Sequence, residues 1–269
     1  MKRGAGPARE KNGSGGGATG GISSNNNAPK QIKKSVSFRS DVNGAFANAA
    51  SSLPDPQDVV PQVKSDLAVL PVHNLLVLGG MFYFGLTNNV EGVMLKGYIT
   101  SLPLEAIYNY MVITNLKKRS KHDNVPLLIL SSILVSLVYA VPLFFIIILL
   151  GAPVYGYTTK TILLALHLSQ LVIGPLACLY SLDFDRFKIL FELEDIYYTI
   201  FSHSILSQAL LTLGGCWLGV IPIPLDWDRP WQQWPITLLV GAYLGGVVGG
   251  LVTMAVRLYA RSRTVDASG

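Results

Sequence analysis

The acidic and basic side chains of the stretch IPIPLDWDRPWQQWPI, Ile221 to Ile236, are the most concentrated candidates for chemistry in the chain. Asp226 and Asp228 could ligate a divalent cation, and Arg229 could hold a phosphate. Either activity needs convergent partners. No second acid cluster, no histidine pair and no Ser or Cys beside a base falls on the same side of the topology derived below. Three readings remain open: a reactive site, contact with lipid headgroups, and a structural interface in which Asp228 and Arg229 satisfy themselves by pairing and capping. A second acidic stretch, DFDRFKILFELED from Asp183 to Asp195, sets Asp183 and Asp185 two apart, with Phe184, Phe187 and Phe191 at helical spacing. It reads better as an amphipathic helix with a solvated polar face than as paired catalytic carboxylates. Cys178 and Cys216 have no CxxC or Cys/His ligand spacing and read as buried thiols. No metal or cofactor is expected.

The elements that must position these groups follow from composition. Half of the 269 residues are hydrophobic, 14% are charged and mean hydropathy is +0.42, too apolar for an ordinary soluble domain. Formal net charge is +5, but nine of the 21 Lys and Arg residues precede residue 67, so the basic balance belongs to the tail and points to no nucleic-acid partner. A bilayer core of roughly 30 Å asks for about 20 apolar residues per helix. Six stretches qualify: Leu67–Asn88, Val93–Leu116, Val125–Leu150, Thr161–Leu182, Ser202–Ile221 and Pro235–Val256. The second carries Lys96 and Glu105 and is the weakest. The expected fold is therefore an all-α polytopic membrane protein with six transmembrane helices spanning residues 63–263 and both termini cytosolic. That topology puts Lys117, Lys118, Arg119, Lys121, Arg186, Lys188, Arg257, Arg261 and Arg263 on the cytosolic side. Only Lys160 and Arg229 lie opposite, as the positive-inside rule requires.

Residues 1–62 are rich in Gly, Ser, Asn and Pro and read as a disordered cytosolic tail, with 264–269 as a short tail at the other end. Ser35, Ser37 and Ser40 sit beside Lys33, Lys34 and Arg39, where a basic-directed kinase or anionic lipid could read them. No apolar h-region precedes Leu67, so the first spanning helix is expected to direct insertion. Intramembrane polar residues are functional candidates by default: His73, Asn74, Glu105, Asn109, His167, Gln170, His203 and Gln208. Scattered singly over several helices, they also suit interhelical hydrogen bonding. Glu105 with Tyr108 or Asn109 is the pair of most interest. The last helix carries Gly241, Gly245 and Gly249 at four-residue spacing, with Gly246 and Gly250 beside them. Such a face lets another helix approach closely, whether from this bundle or from another protein.

The opening loop cannot lie in hydrocarbon, because Asp226, Asp228 and Arg229 together would cost about 8 kcal/mol there. Trp217, Trp227, Trp231 and Trp234 all fall within 18 residues, as an interfacial aromatic belt would. A short helix starting near Pro230 would put Trp227, Trp231 and Trp234 on one face. Pro222, Pro224, Pro230 and Pro235 fix φ along the path, so the surface loses little entropy on binding.

Taken with LLGAP (Leu149–Pro153), LLALHLSQL (Leu163–Leu171), GCWLGVIPIPLDWDRPWQQWP (Gly215–Pro235) and the glycine-rich final helix, these features resemble the PIG-F family of glycosylphosphatidylinositol (GPI) biosynthesis proteins in its fungal form. The resemblance covers roughly Leu67 to Arg263. It implies a multi-pass endoplasmic reticulum membrane protein acting late in anchor assembly. Such a protein would be a non-catalytic subunit that binds and stabilises the ethanolamine-phosphate transferases. The lumenal motif Pro222 to Pro235 and the Gly241/Gly245/Gly249 ridge are the expected docking surface for that partner. An alternative from another class is a protein that binds or moves phosphatidylethanolamine or the GPI precursor; a third is a transferase acting by itself.

Overall fold

The computed structural model describes residues 60–117, 124–183, 185, 188, 190–192, 196–225 and 227–266. The tail serines, the loop lysines Lys118 and Lys121, Phe184, Phe187 and Asp226 lie outside the described residues. Seven α-helices run through the described chain: α1 (His73–Tyr83), α2 (Val90–Asn115), α3 (Val125–Leu149), α4 (Thr158–Leu179), α5 (Ile196–Ser202), α6 (Ser204–Leu218) and α7 (Ile236–Asp266). Among the described residues there is no strand, only an isolated bridge between Val63 and Leu116.

Local chemistry sets the helix limits. Asn89 caps α2 by accepting the Gly92 N–H at 3.0 Å, and Glu91 in the first turn faces the positive end of the helix dipole. α1 and α3 close in the same way. Gly85 and Gly151 take φ of +82° and +103°, and the next N–H reaches back five residues, Leu86 to Met81 and Ala152 to Ile147. Pro103, Pro142 and Pro175 lie inside α2, α3 and α4, a placement membrane bundles tolerate because neighbouring groups satisfy the freed carbonyls.

Three helices, α3, α4 and α7, are long and apolar enough to cross a membrane. Of the other expected spans, the second is one 26-residue helix, α2, within three residues of its expected limits, whereas the first and fifth differ. The first is a 3-10 turn at Leu67–Val69 followed by the 11-residue α1, not one helix to Asn88. The fifth is a shorter helix, the 15-residue α6 within Ser202–Ile221, and the extended backbone of His203 separates it from α5. α7 runs ten residues past the expected limit at Val256.

α4 lies at the centre, with 78% of its apolar stretch buried, whereas α3 is peripheral, with 22% buried, so its Leu, Ile and Phe side chains face outward. α6 and α7 form the most extensive helix pair. The core has two apolar ends. One gathers Met81, Leu86, Met94, Leu164, Leu239 and Tyr243; the other gathers Val63, Val69, Val112, Ile113, Leu179 and Ile205. Val60 and Val63 are both about 1% exposed, so packed chain reaches back at least to Val60. At this second end Arg257 of α7 meets Asp66 at 2.5 Å and donates to the Ser202 carbonyl at 3.0 Å. The start of the described chain and the end of α7 therefore share one end of the bundle.

Candidate functional site: the tryptophan loop and the helices beneath it

The segment joining α6 to α7 lies at the other end of the bundle. It descends from α6 through consecutive tight turns, with N–H groups of Ile221, Ile223, Leu225 and Trp227 bonded to carbonyls two or three residues back. Pro222 and Pro224 fit such a path because neither has an N–H to place. Asp228 adopts φ +45°, a left-handed conformation that Asp tolerates, and Pro230–Gln232 then forms one 3-10 turn with Arg229 as its N-cap residue.

One side chain fastens this loop, and the sequence reading passed over it. Gln232 Nε2 donates to the Pro222 carbonyl at 2.7 Å and the Leu225 carbonyl at 2.9 Å, while its Oε1 accepts the Arg229 N–H at 2.8 Å. Three backbone groups, from Pro222 to Arg229, are thus held by one amide. The signal available was a capping-type Gln two residues after a proline that starts a turn.

The tryptophans do not share one face. Trp227 and Trp231 pair with ring centroids 5.9 Å apart and stay outside, 56% and 38% exposed. Trp234 turns inward, packs on the apolar core and donates Nε1–H to Thr161 Oγ1 of α4 at 3.0 Å. The Trp234–Pro235 peptide is cis, and α7 starts immediately after it, with Pro235 buried. Trp217, at the end of α6, is exposed. Asp228 and Arg229 are exposed, and among the described residues neither is in an ion pair, so the expected Asp228–Arg229 pairing and Asp228 cap are replaced by Gln232. Among the described residues no three His, Cys, Asp or Glu side chains converge as a metal site. Asp185, from the second acidic stretch, is exposed and pairs with Lys188 at 2.9 Å, which raises the lysine's pKa.

The glycine ridge is occupied from within. A Cβ built on Gly241 or Gly245 would fall on the Gly215 or Leu211 carbonyl, and one on Gly249 would lie 2.6 Å from the Gln208 Cα. Gly215 of α6 and Gly219 at its C-terminal cap reciprocate, a four-residue spacing in GGCWLG that the sequence reading missed. The neighbouring ridge is used too. Gly246 faces Thr212 and Asn74, and Gly250 faces Leu70. The expectation that Gly241, Gly245 and Gly249 dock a partner protein is corrected: backbone-to-backbone contact with α6 leaves no room for another helix.

Between the two apolar ends lies a polar layer. His73 Nε2 is 2.7 Å from Glu105 Oε2, and the imidazole rests on the Tyr108 ring at 4.7 Å. Tyr108 Oη lies 2.6 Å from Gln208 Oε1, and Gln208 Nε2 donates to the Val69 carbonyl at 2.8 Å. Glu105 therefore pairs with His73 rather than with Tyr108 or Asn109. Asn109 is fully buried, with neither amide atom bonded among the described residues. Elsewhere Gln170 donates to Ser101 Oγ at 3.0 Å, and His203 Nε2 lies 3.0 Å from the Pro61 carbonyl. His167 Nε2–H donates to the Met94 carbonyl at 3.1 Å, so its Nδ1 must accept from the Tyr243 hydroxyl at 2.8 Å. The cavity beside His73, Asn74 and Glu105 has a volume of about 10 Å³, room for a water and not for a lipid headgroup.

Comparison with known proteins agrees along most of the chain. The family model described as "GPI biosynthesis protein family Pig-F" matches residues 69–254. A "Glycosylphosphatidylinositol anchor biosynthesis protein 11" of Candida albicans is 51% identical over 260 residues, covering 86% of this chain and 98% of the relative. Proteins with the same description from Debaryomyces hansenii and Yarrowia lipolytica are 42% and 35% identical, covering 82% and 74% of this chain and 95% and 87% of the relatives. No solved structure matches.

Proposed function

This chain belongs to the Pig-F family of GPI biosynthesis proteins, and from that premise we propose that it is a non-catalytic subunit of the ethanolamine-phosphate transferases in the endoplasmic reticulum membrane. It crosses the bilayer six times, with both termini cytosolic and the tryptophan loop in the lumen. Support for that topology comes from the nine-to-two distribution of Lys and Arg. The Arg257–Asp66 contact, which gathers both ends of the described bundle on one side, agrees with it.

The observation that carries the docking reading is the fastened loop. It presents Trp227 and Trp231 with Asp228 and Arg229 outside the bundle, on a backbone already fixed by Gln232. Rigid, exposed aromatic and Arg side chains suit a protein interface because little freedom is lost on binding. With the glycine ridge committed to α6, docking rests on the loop alone.

The test is co-purification from native membranes of the full chain and of Trp231→Ala and Trp227→Ala variants. Recovery of the transferase should fall by about tenfold or more, since central interface tryptophans commonly carry about 2 kcal/mol or more. Undiminished recovery in both variants refutes the loop as the docking surface.

A further inference from the structure

α1 and α2 enclose a groove of about 440 Å³, within the range of small-ligand sites. Its walls are Leu76 and Gly80 on α1, Phe84 just after it, and Lys96, Thr100 and Leu104 on α2. Two features keep it open. At about 1.5 Å per residue, the 11 residues of α1 span roughly 16 Å beside the roughly 39 Å of α2, so much of the α2 flank is uncovered. Gly80 also contributes no side chain, and a Cβ built there meets nothing within 4 Å. Leu76 and Phe84 are 68% and 74% exposed, so the groove opens sideways, toward the acyl chains of a surrounding bilayer.

Lys96 is the charged residue in this largely apolar wall. Among the described residues no carboxylate lies within ion-pair distance of it. Thr100 is committed to the Lys96 and Gly97 carbonyls at 2.9 and 3.1 Å, which leaves the ammonium as the free donor. Its depth follows from helix geometry. α2 exceeds a hydrocarbon core of about 30 Å by roughly 9 Å, so about 4 to 5 Å emerges at each end. Lys96 is six residues, roughly 9 Å, from the start of α2, so its Cα lies about 4 to 5 Å below the hydrocarbon edge. From there a lysine stem carries its ammonium up to the phosphate level.

We propose that this groove holds one membrane phospholipid, an acyl chain lying between α1 and α2 and the headgroup phosphate on Lys96 Nζ. The inference rests on the membrane placement in the proposed function but not on the docking of a transferase. An amphiphile whose head carries a phosphate matches the site at both ends: apolar walls for the chain, one unpaired cation for the phosphate.

The experiment uses the full chain, purified alone and reconstituted in phosphatidylcholine vesicles. These contain a small fraction of phosphatidylcholine carrying a photoactivatable acyl chain; parallel vesicles carry the same chain as diacylglycerol, which has no phosphate. Phospholipid labelling should concentrate on residues 76–84 and 93–104. Lys96→Met should lower phospholipid labelling roughly tenfold, as loss of one charge-assisted contact predicts, without lowering diacylglycerol labelling. Lys96→Arg should restore it. Gly80→Leu, which fills the groove, should lower both labels; Gly79→Leu, on the neighbouring open position, should change neither. Labelling spread evenly over the outward-facing α3, or indifferent to Lys96→Met and Gly80→Leu, overturns the proposal. So does a Lys96→Met protein that keeps its lipid label but loses a co-purifying protein, since Lys96 would then be a protein contact. Because lipid occupancy is read on the isolated chain, its failure leaves the loop-docking result standing.

Discussion

Replacing Gln232 by Glu is the sharpest test of how the tryptophan loop is held. The substitution keeps the side-chain length and an oxygen for the Arg229 N–H, but the two donors to Pro222 and Leu225 are lost and a carboxylate oxygen is set against their carbonyls. Each lost bond contributes about 1 kcal/mol net, so local opening should become easier by about 2 kcal/mol, somewhat more with the oxygen–oxygen repulsion. At 1.4 kcal/mol per decade that is a roughly 30-fold rise in the open population. Hydrogen exchange in reconstituted vesicles reads it directly. The Ile223, Leu225, Trp227, Arg229 and Gln232 amides, all bonded within the loop, should exchange about 30-fold faster. Amides in the middle of α4 should not change. Gln232→Ala should have a similar effect without the repulsion. Unchanged exchange at these amides in both variants would refute the idea that Gln232 holds the loop. Accelerated exchange with normal transferase recovery would instead separate loop rigidity from docking.

Gly245→Ala should destabilise the α6–α7 pair by about 1 to 3 kcal/mol, because its Cβ meets the Leu211 backbone and nothing there can yield. Gly79→Ala, in open space, should be silent; thermal unfolding in detergent distinguishes them. Trp234→Phe removes the bond to Thr161 yet strands no donor, since the Thr161 hydroxyl already donates to the Tyr157 carbonyl at 3.1 Å, so the loss should stay near 0.5 to 1.5 kcal/mol in the same assay. His73→Phe leaves Glu105, 3% exposed, without its partner and should cost about 3 to 5 kcal/mol. The double variant His73→Phe, Glu105→Leu should recover most of that, and a double-variant cycle showing simple additivity would contradict the pairing.

Much of this protein is legible locally. An uncharged run such as Val125–Leu150 commits its segment to a helix in an apolar environment, because every backbone group there must bond within the segment. The Trp/Pro block is equally plain: its charges exclude it from hydrocarbon, and its residue order carries the resemblance to the Pig-F family. Element limits were less legible. The extended backbone at His203 sets the start of α6 two residues inside one expected span, and Gly85 ends another early, since tertiary contacts such as the one between His203 and the Pro61 carbonyl decide where a helix begins and stops.

The sequence by itself determined that the chain is helical and membrane-like, which of its helix faces are made of small residues, and which loop gathers the tryptophans. Only the tertiary structure decided what each face meets. Spacing reveals that Gly241, Gly245 and Gly249 form a flat ridge, but a ridge has no address; it became an internal seam because α6 and its C-terminal cap carry Gly215 and Gly219 at matching height. In the same way Trp234 went inward to Thr161, 73 residues away in sequence, while Trp227 and Trp231 stayed outside. Side-chain periodicity is a property of neighbours along the chain, whereas hydrogen bonds and backbone contacts of this kind join residues that only folding brings together.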